Sequence, residues 1–394
     1  MDFQRRILIV GAGIIGLSTA YALLTQGMRH VTVLEQEAVD HEGCSSHGFS
    51  RLLRFEYGAD SFYSRMVDLS LQRWKTLQSK VERTLYTPTG LLSMGTVADN
   101  CTYPGYVILR AMGLPTELIS ETQCRRRFPQ FSTRGYDIFT YNSEAGILHA
   151  STCLRTLKDL ILDLGGEVRE FCHVSHLWSE GGYRPVRLEL SSGDELVADR
   201  VVLATGGWVH TLLPHLRLPV RITRQYLLFF SVESPSLYSA GAFPAFIVDD
   251  LYGFPIHEGC NGWIKASSHS FGKTVHPDEI SPPDEQMIAQ ITDKLCKLLP
   301  DLRHARLASV ASCMYDVTPD ENFILDRVPG DPRIIFATGM SGHAFKFGIL
   351  LGELLASMVC DREPVVPLER FRLGRFARKE VEEEKFALAR SFIS

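Results

Sequence analysis

Residues 7–16 read Ile7-Leu8-Ile9-Val10-Gly11-Ala12-Gly13-Ile14-Ile15-Gly16, and the chain then runs through an apolar helix to Val31-Thr32-Val33-Leu34 and an acidic Glu35. The apolar run before Gly11 reads as a buried parallel strand. Gly11 permits the tight turn, Gly13 lets the backbone approach a pyrophosphate, and Gly16 lets the helix lie close against the strand. The start of that helix offers unpaired N–H groups and the positive end of its dipole to phosphates. Glu35 ends the second strand, where a carboxylate accepts hydrogen bonds from ribose hydroxyls and repels a 2'-phosphate. A glycine pattern alone is a weak signal, but here the strand before, the helix after and the acid at the right distance all accompany it. The stretch reads as a dinucleotide site for NAD or FAD rather than NADP.

With 394 residues and 45% hydrophobic content, the chain can bury a large core and is expected to form two domains. A net charge of -5 gives no reason to expect nucleic acid as a partner. There is no internal repeat and no low-complexity tract. The nine cysteines contain no CxxC pair and no metal-finger spacing, so a reducing compartment and no metal are expected. No signal peptide is read ahead of the first strand, and no apolar run reaches membrane-spanning length. The final Ser391-Phe392-Ile393-Ser394 is not a peroxisomal address of the Ser-Lys-Leu type. A soluble, monomeric, cytoplasmic protein without a membrane partner is the expectation.

Helical periodicity covers Ile14 to Thr25, Ser61 to Leu77 with Asp60 as its cap, and Thr152 to Leu164, which stops at Gly165-Gly166. Strand-like runs at Val201 to Ala204 and Ile334 to Ala337 end in Thr205-Gly206-Gly207 and Thr338-Gly339, like strands that deliver a glycine turn to a ligand. Between them, Arg224 to Phe230 and Asn261 to His269 read as antiparallel strands. Tyr252-Gly253-Phe254-Pro255 leads through Asn261-Gly262 into Trp263-Ile264-Lys265-Ala266-Ser267-Ser268-His269, a hairpin. With period two, Trp263, Lys265, Ser267 and His269 share one face. That face is either solvated or the ceiling of a site, and an unpaired lysine favours the solvated reading. A charged tail from Arg375 to Arg390 reads as a terminal helix.

The block Cys313-Met314-Tyr315-Asp316-Val317-Thr318-Pro319-Asp320-Glu321-Asn322-Phe323-Ile324-Leu325-Asp326 precedes Gly339-Met340-Ser341-Gly342-His343-Ala344-Phe345-Lys346-Phe347. With Ser45-Ser46-His47-Gly48-Phe49-Ser50-Arg51-Leu52-Leu53-Arg54 and the hairpin, this order closely resembles the monomeric sarcosine oxidase family of flavoprotein amine oxidases, across essentially the whole chain. The resemblance implies FAD over NAD. It implies an α/β fold with a Rossmann-type FAD-binding domain (1–85, 149–219 and 309–394) interleaved with an α+β substrate domain on a large antiparallel sheet (86–148 and 220–308).

It also implies roles. Cys313 is the candidate thioether anchor to the flavin. Gly11, Gly13, Gly16, Glu35, Ser46, His47, Gly339, Gly342 and Lys346 are the other cofactor-binding positions. Arg54 and Lys346 match the cations that grip a substrate carboxylate, with Tyr315 beside them. Arginine supplies a planar fork and lysine a point charge. Lys265 matches the lysine that activates O2, and this turns the hairpin face inward. Arg51 matches a position near the flavin, while His269, Tyr252 and His47 match pocket positions that shape or polarise the site. His343 is left out of the catalytic set. The apolar segment Ala344 to Met358 reads as a helix whose start faces the flavin.

The implied reaction removes a hydride equivalent from the carbon alpha to a neutral secondary amine, and O2 reoxidises the flavin to hydrogen peroxide. Ser50, Phe55, Met340, the Ile256-His257-Glu258-Gly259 turn and Trp263 depart from the sarcosine-specific pattern, which points to a bulkier N-alkyl or cyclic amino acid. Three alternatives stay open: a biosynthetic oxidase of a cyclic imino acid, a dehydrogenase with a non-oxygen acceptor, and a flavin-binding subunit without activity.

Overall fold

In the computed structural model, residues 3–182, 184–279 and 281–376 are described. All but the first two residues of the expected tail helix lie outside them.

The strand Arg6–Val10 sits inside a six-stranded sheet, between Arg200–Leu203 and His30–Leu34. Both neighbours run parallel to it, as do the next strands out, Asp331–Thr338 and Glu167–Arg169. Ile324–Val328 closes one edge antiparallel. Ile7, Ile9, Val33 and Val202 are buried, as continuous apolar runs are when helices or loops cover both faces of a sheet.

The helix Ile14–Thr25 begins and ends where the periodicity places it, and it is buried on nearly every side. It packs on a second apolar helix, Gly348–Val359. Small residues make this approach possible. A Cβ on Gly16 would stand 1.8 Å from the Gly11 carbonyl oxygen, and one on Gly352 would stand 2.4 Å from the Ser18 carbonyl carbon. The segment expected to be helical from Ala344 instead forms a 3-10 turn at Phe345–Phe347 before the α-helix starts at Gly348.

The second layer is an eight-stranded sheet. Its order is Arg306–Val317, Arg221–Ser231, Ile264–Ser268, Leu251–Phe254, Ala245–Val248, Leu91–Gly95, Ile138–Asn142 and Thr116–Leu118. All junctions are antiparallel except one, where Ala245–Val248 runs parallel to Leu91–Gly95, so the sheet is mixed. The strand Arg306–Val317 belongs to this sheet along its whole length, and the domain boundary expected at 309 therefore falls inside a strand. The hairpin forms as read: Tyr252 pairs with Ser267 and Phe254 with Lys265. Asn261 and Gly262 take the positive φ values (57° and 72°) that the turn between them requires.

A small sheet joins the layers. Arg51–Leu53 and Tyr86–Thr87 both pair with Gly146–Leu148, so the loops carrying Ser46 to Arg54 are held between the two sheets. Among the described residues, no helix is long and apolar enough to cross a membrane and no cluster of side chains could hold a metal ion.

In an exposed helix, Gly→Ala stabilises by roughly 1 kcal/mol. At Gly352 the added methyl meets backbone, and Gly352→Ala is expected to destabilise by about 1–3 kcal/mol instead. Urea denaturation of the two proteins decides the sign.

Candidate active site

One continuous cavity runs from Gly11, Gly13 and Glu35 to Lys265, Cys313 and Lys346. At the first end, Gly11 adopts φ 103°, and a Cβ there would strike the Ala204 carbonyl oxygen at 2.4 Å. The helix that follows has no acidic residue in its first turn and no cap of its own. Ser46 supplies one from another loop: its Oγ accepts from Ile14 N–H at 3.0 Å and keeps its own proton to donate. Glu35 is pinned from both sides, Oε2 accepting from Ala12 N–H (2.7 Å) and Oε1 from Glu37 N–H (3.2 Å). A helix start without acidic residues, a bare glycine turn and a fixed carboxylate fit a dinucleotide with an unphosphorylated ribose. Gly16 and Gly339 do not line the cavity. Gly16 serves helix packing, while Gly339 turns the chain at φ 67° against Thr318.

At the other end Lys265 and His269 of the hairpin face line the cavity, whereas Trp263 and Ser267 do not. Lys265 is buried, its Nζ donates to the Ser50 carbonyl at 2.7 Å and lies 4.7 Å from the Phe254 ring centroid. Burial pushes its pKa well below the usual lysine range. The positive charge of Arg51 pushes the same way and the Cys313 thiol opposes. Arg51 is spent on backbone, donating to the carbonyls of Ser50 (3.0 Å), Ser45 (2.9 Å) and His47 (2.6 Å). Cys313 is half-buried on the strand Arg306–Val317. Burial raises its thiol, while Arg51 and Lys265 favour the thiolate. Tyr252 and Tyr315 line the same end, and the Tyr315 ring lies over Gly342, where a Cβ would meet it at 2.2 Å.

Lys346 enters from the turn before the second apolar helix. Ser70 Oγ and Trp74 Nε1 both donate to its carbonyl oxygen, which fixes the turn, and its Nζ donates to the His343 carbonyl at 2.8 Å. Burial and then Arg54 push this lysine well below its usual pKa, against the pull of Glu56. Tyr57 lies behind both cations, 4.4 Å from the Arg54 guanidinium and 5.4 Å from Lys346 Nζ at the ring centroid. Among the described residues, none of Arg54, Lys265 and Lys346 pairs with a carboxylate.

His269 lines the cavity. Burial, with Arg54 and Lys346 nearby, lowers it to about 4, so it is a neutral ring at pH 7 rather than an acid. His47 does not line the cavity; its Nδ1 is 2.9 Å from Asp40 Oδ1, and its contribution is the carbonyl that holds Arg51. Two groups outside the candidate set lie at the cavity, His343, which the sequence left open as a pocket or turn residue, and Asp316, which it did not single out. His343 lines the cavity, with Nδ1 3.0 Å from Tyr57 Oη and Nε2 3.0 Å from the Glu321 carbonyl oxygen. Asp316 lines it too, buried at the glycine turn, where Thr338 Oγ1 donates to its carboxylate (3.3 Å). The Cys313 to Asp326 block contained both the signal and the residue, but alternation alone does not say that an aspartate beside Val317 faces a ligand.

A dinucleotide-binding layer joined through one cavity to a sheet carrying buried cations is the architecture of a flavin-dependent oxidoreductase. Residues 6–358 match the family described as FAD dependent oxidoreductase. The chain is 33% identical to a peroxisomal sarcosine oxidase of Mus musculus over 393 residues, covering 95% of this chain and 97% of that one. It is 29% identical to an N-methyl-L-tryptophan oxidase of Yersinia pestis, covering 95% and 100%. Among solved structures, an L-proline dehydrogenase from P. horikoshii superposes with a TM-score of 0.82 at 19% identity, covering 95% and 98%, and shares the fold. The chain belongs to the FAD-dependent oxidoreductase family, and it is an FAD-dependent amine oxidoreductase.

Burial raises the Asp316 carboxyl from 3.8 to about 6, opposed by hydrogen bonds from the Met340 and Gly339 backbone. The folded protein therefore holds this proton more tightly than the unfolded chain. The stabilisation is complete below pH 3.8 and is lost as pH rises through about 6, on the order of 3 kcal/mol in all. Asp316→Asn is expected to raise the melting temperature at pH 8 and leave it nearly unchanged at pH 4.

Proposed function

We propose that this chain oxidises secondary amino acids, taking a hydride equivalent from the carbon alpha to nitrogen and releasing an imine, with O2 as final acceptor and hydrogen peroxide as product. The observation that carries this reading is the trio of Arg54, Lys265 and Lys346 facing one cavity, none with a carboxylate within ion-pair distance among the described residues, Glu56 acting on Arg54 and Lys346 only from farther away. Such groups are costly unless an anion compensates them.

Arg54 and Lys346 divide the work of holding a substrate carboxylate. The guanidinium, stacked on Tyr57, orients it, and the ammonium, held by the His343 carbonyl, adds attraction. The same positive field lowers the pKa of a bound ammonium and favours the neutral amine whose lone pair drives oxidation. His269 and His343, both neutral, add hydrogen bonding to the pocket without further charge. When bound, FAD supplies the two-electron acceptor for this chemistry. Gly11, Gly13, Ser46 and Glu35 would hold its dinucleotide part, and Cys313 would anchor its ring through a thioether. Lys265 would lower the barrier to oxygen reduction by stabilising negative charge as it develops on O2. Of the positions that depart from the sarcosine-specific pattern, Met340 lines the cavity, and it favours a substrate larger than sarcosine, an N-alkyl or cyclic amino acid.

The test is peroxide release from purified protein given sarcosine, other N-methyl amino acids, L-proline and L-pipecolate, each beside its primary-amine analogue. Turnover confined to secondary amines is expected. Bleaching of the flavin by amine without air, but no peroxide with it, would assign a different electron acceptor. For whichever substrate turns over, Lys346→Met is expected to raise KM roughly 10- to 150-fold, the equivalent of one lost charged hydrogen bond. After acid precipitation, the wild-type protein should keep its yellow colour in the pellet and Cys313→Ala should release it to the supernatant.

A further inference from the structure

Asp250 lines the cavity, yet no step of the reaction uses it. It follows the turn residue Asp249 (φ 52°) and leads into the hairpin strand Leu251–Phe254. Leu251 pairs with Ser268, so the ladder carries Asp250 to His269, whose N–H donates to the Asp250 carbonyl at 2.6 Å. With period two, Asp250 shares the face of Tyr252 and Phe254, which also line the cavity. His269 is close to both kinds of charge: after burial, Arg54 and Lys346 push its pKa down, and Asp250 opposes them.

The Asp250 carboxylate is held through one oxygen. Ser268 Oγ (2.6 Å), Ser270 Oγ (2.7 Å) and Lys294 Nζ (2.9 Å) all donate to Oδ2. Ser268 belongs to the opposite face of the hairpin, with Ile264 and Ala266. Lys294 belongs to the helix Glu285–Leu298, whose Ile291 and Leu295 share a core with Ile264 and Ala266. The donors thus approach from behind the cavity face. Oδ1 makes no hydrogen bond among the described residues, and it is not among the polar atoms sealed from solvent. Burial raises the carboxyl, but the hydrogen bonds from Ser268, Ser270 and Lys294 outweigh it, so the group lies below its usual pKa and is ionised at pH 7.

We propose that Asp250 selects the substrate, its Oδ1 accepting a hydrogen bond from an uncharged O–H or N–H on the N-substituent, side chain or ring of a secondary amino acid held at Arg54 and Lys346. This rests on reading the cavity as the site of amine oxidation. The cations take the substrate carboxylate, the neutral His269 ring adds no charge, and the Asp250 carboxylate offers an acceptor beyond it. An uncharged donor suits the site better than a second ammonium. Lys294 already balances Asp250, and Arg54 and Lys346 repel any further cation nearby. A carboxylate fixed by three side chains needs no rearrangement when the ligand arrives. The substrate class that follows is an N-alkyl or cyclic amino acid carrying a hydroxyl or amide N–H, rather than a purely hydrocarbon one.

The test gives the flavin-loaded enzyme N-(2-hydroxyethyl)glycine, N-(3-hydroxypropyl)glycine and 4-hydroxy-L-proline, each beside its methyl ether, which accepts but cannot donate. The second-order rate constant for bleaching the flavin without air is measured, so no final acceptor is needed. In the wild type, the hydroxyl member of at least one pair is expected to be favoured about ten-fold or more, the worth of a hydrogen bond to a charged group. Asp250→Asn then inverts the contact. Its amide oxygen must face Ser268, Ser270 and Lys294, so the NH2 group takes the place of Oδ1 and an acceptor becomes a donor. The hydroxyl and its ether are expected to react at about equal rates in that variant. Because the readout is a ratio within one protein, a variant that is only less stable or less fully flavinated leaves it unchanged. If the wild type shows no preference in any pair, or Asp250→Asn keeps the wild-type ratio, Asp250 does not select and the oxidase reading stands. If no secondary amine of any kind bleaches the flavin, the oxidase reading fails and the selection fails with it.

Discussion

An ammonium taken out of water costs several kcal/mol unless dipoles or an anion replace its hydration. Two lysines are buried beside one cavity here, with a half-buried arginine near them. Much of the architecture is what keeps these charges in place. Each lysine is solvated by a backbone carbonyl, Ser50 for Lys265 and His343 for Lys346, and by an aromatic face, Phe254 or Phe347. Those carbonyls work only if their loops are rigid. The Ser50 loop is tied by three Arg51 hydrogen bonds and by pairing with Gly146–Leu148, and the Lys346 turn is tied by Ser70 and Trp74. Loops that would otherwise be mobile connections become fixed dipoles.

This explains which features were legible in the sequence. The helix Ile14–Thr25 and the strands around it were readable residue by residue, since glycine turns and a terminal acid bracket an unbroken apolar run. The hairpin was readable because period two and Asn261-Gly262 agree. The orientation of its Lys265 face was not, because burial of a lysine is decided by what covers it, and the covering carbonyl comes from Ser50, far away in the chain. The parallel junction between Leu91–Gly95 and Ala245–Val248 escaped for the same reason: neither strand carries a local mark of its partner. The helix expected from Ala344 starts late because Lys346 must turn into the cavity, and a tertiary grip on its carbonyl outweighs a favourable helical pattern.

Within the site, the family resemblance placed the cations better than the histidines, whereas residue type alone would have left those cations on the surface. Arg51, Arg54, Lys265 and Lys346 all lie at the cavity, whereas His47 faces Asp40 and His343 faces inward. A histidine's role depends on its two ring nitrogens finding partners, and those partners are backbone carbonyls and hydroxyls that composition does not reveal.

The electrostatic balance of the cavity then follows from the partners chosen. His343 meets a carbonyl at Nε2 and a phenol at Nδ1, so it satisfies both nitrogens as a neutral ring, and burial beside Lys346 pushes its pKa well below the usual range. A protonated His343 or His269 would add charge to a site already positive and would repel Arg54 and Lys346. Neutral histidines leave the charge of the pocket to the cations, whose field, on the proposed reading, would admit a carboxylate and disfavour an ammonium. On that reading, discrimination between a neutral amine and its conjugate acid would be built from the protein's own charges, before any electron moves.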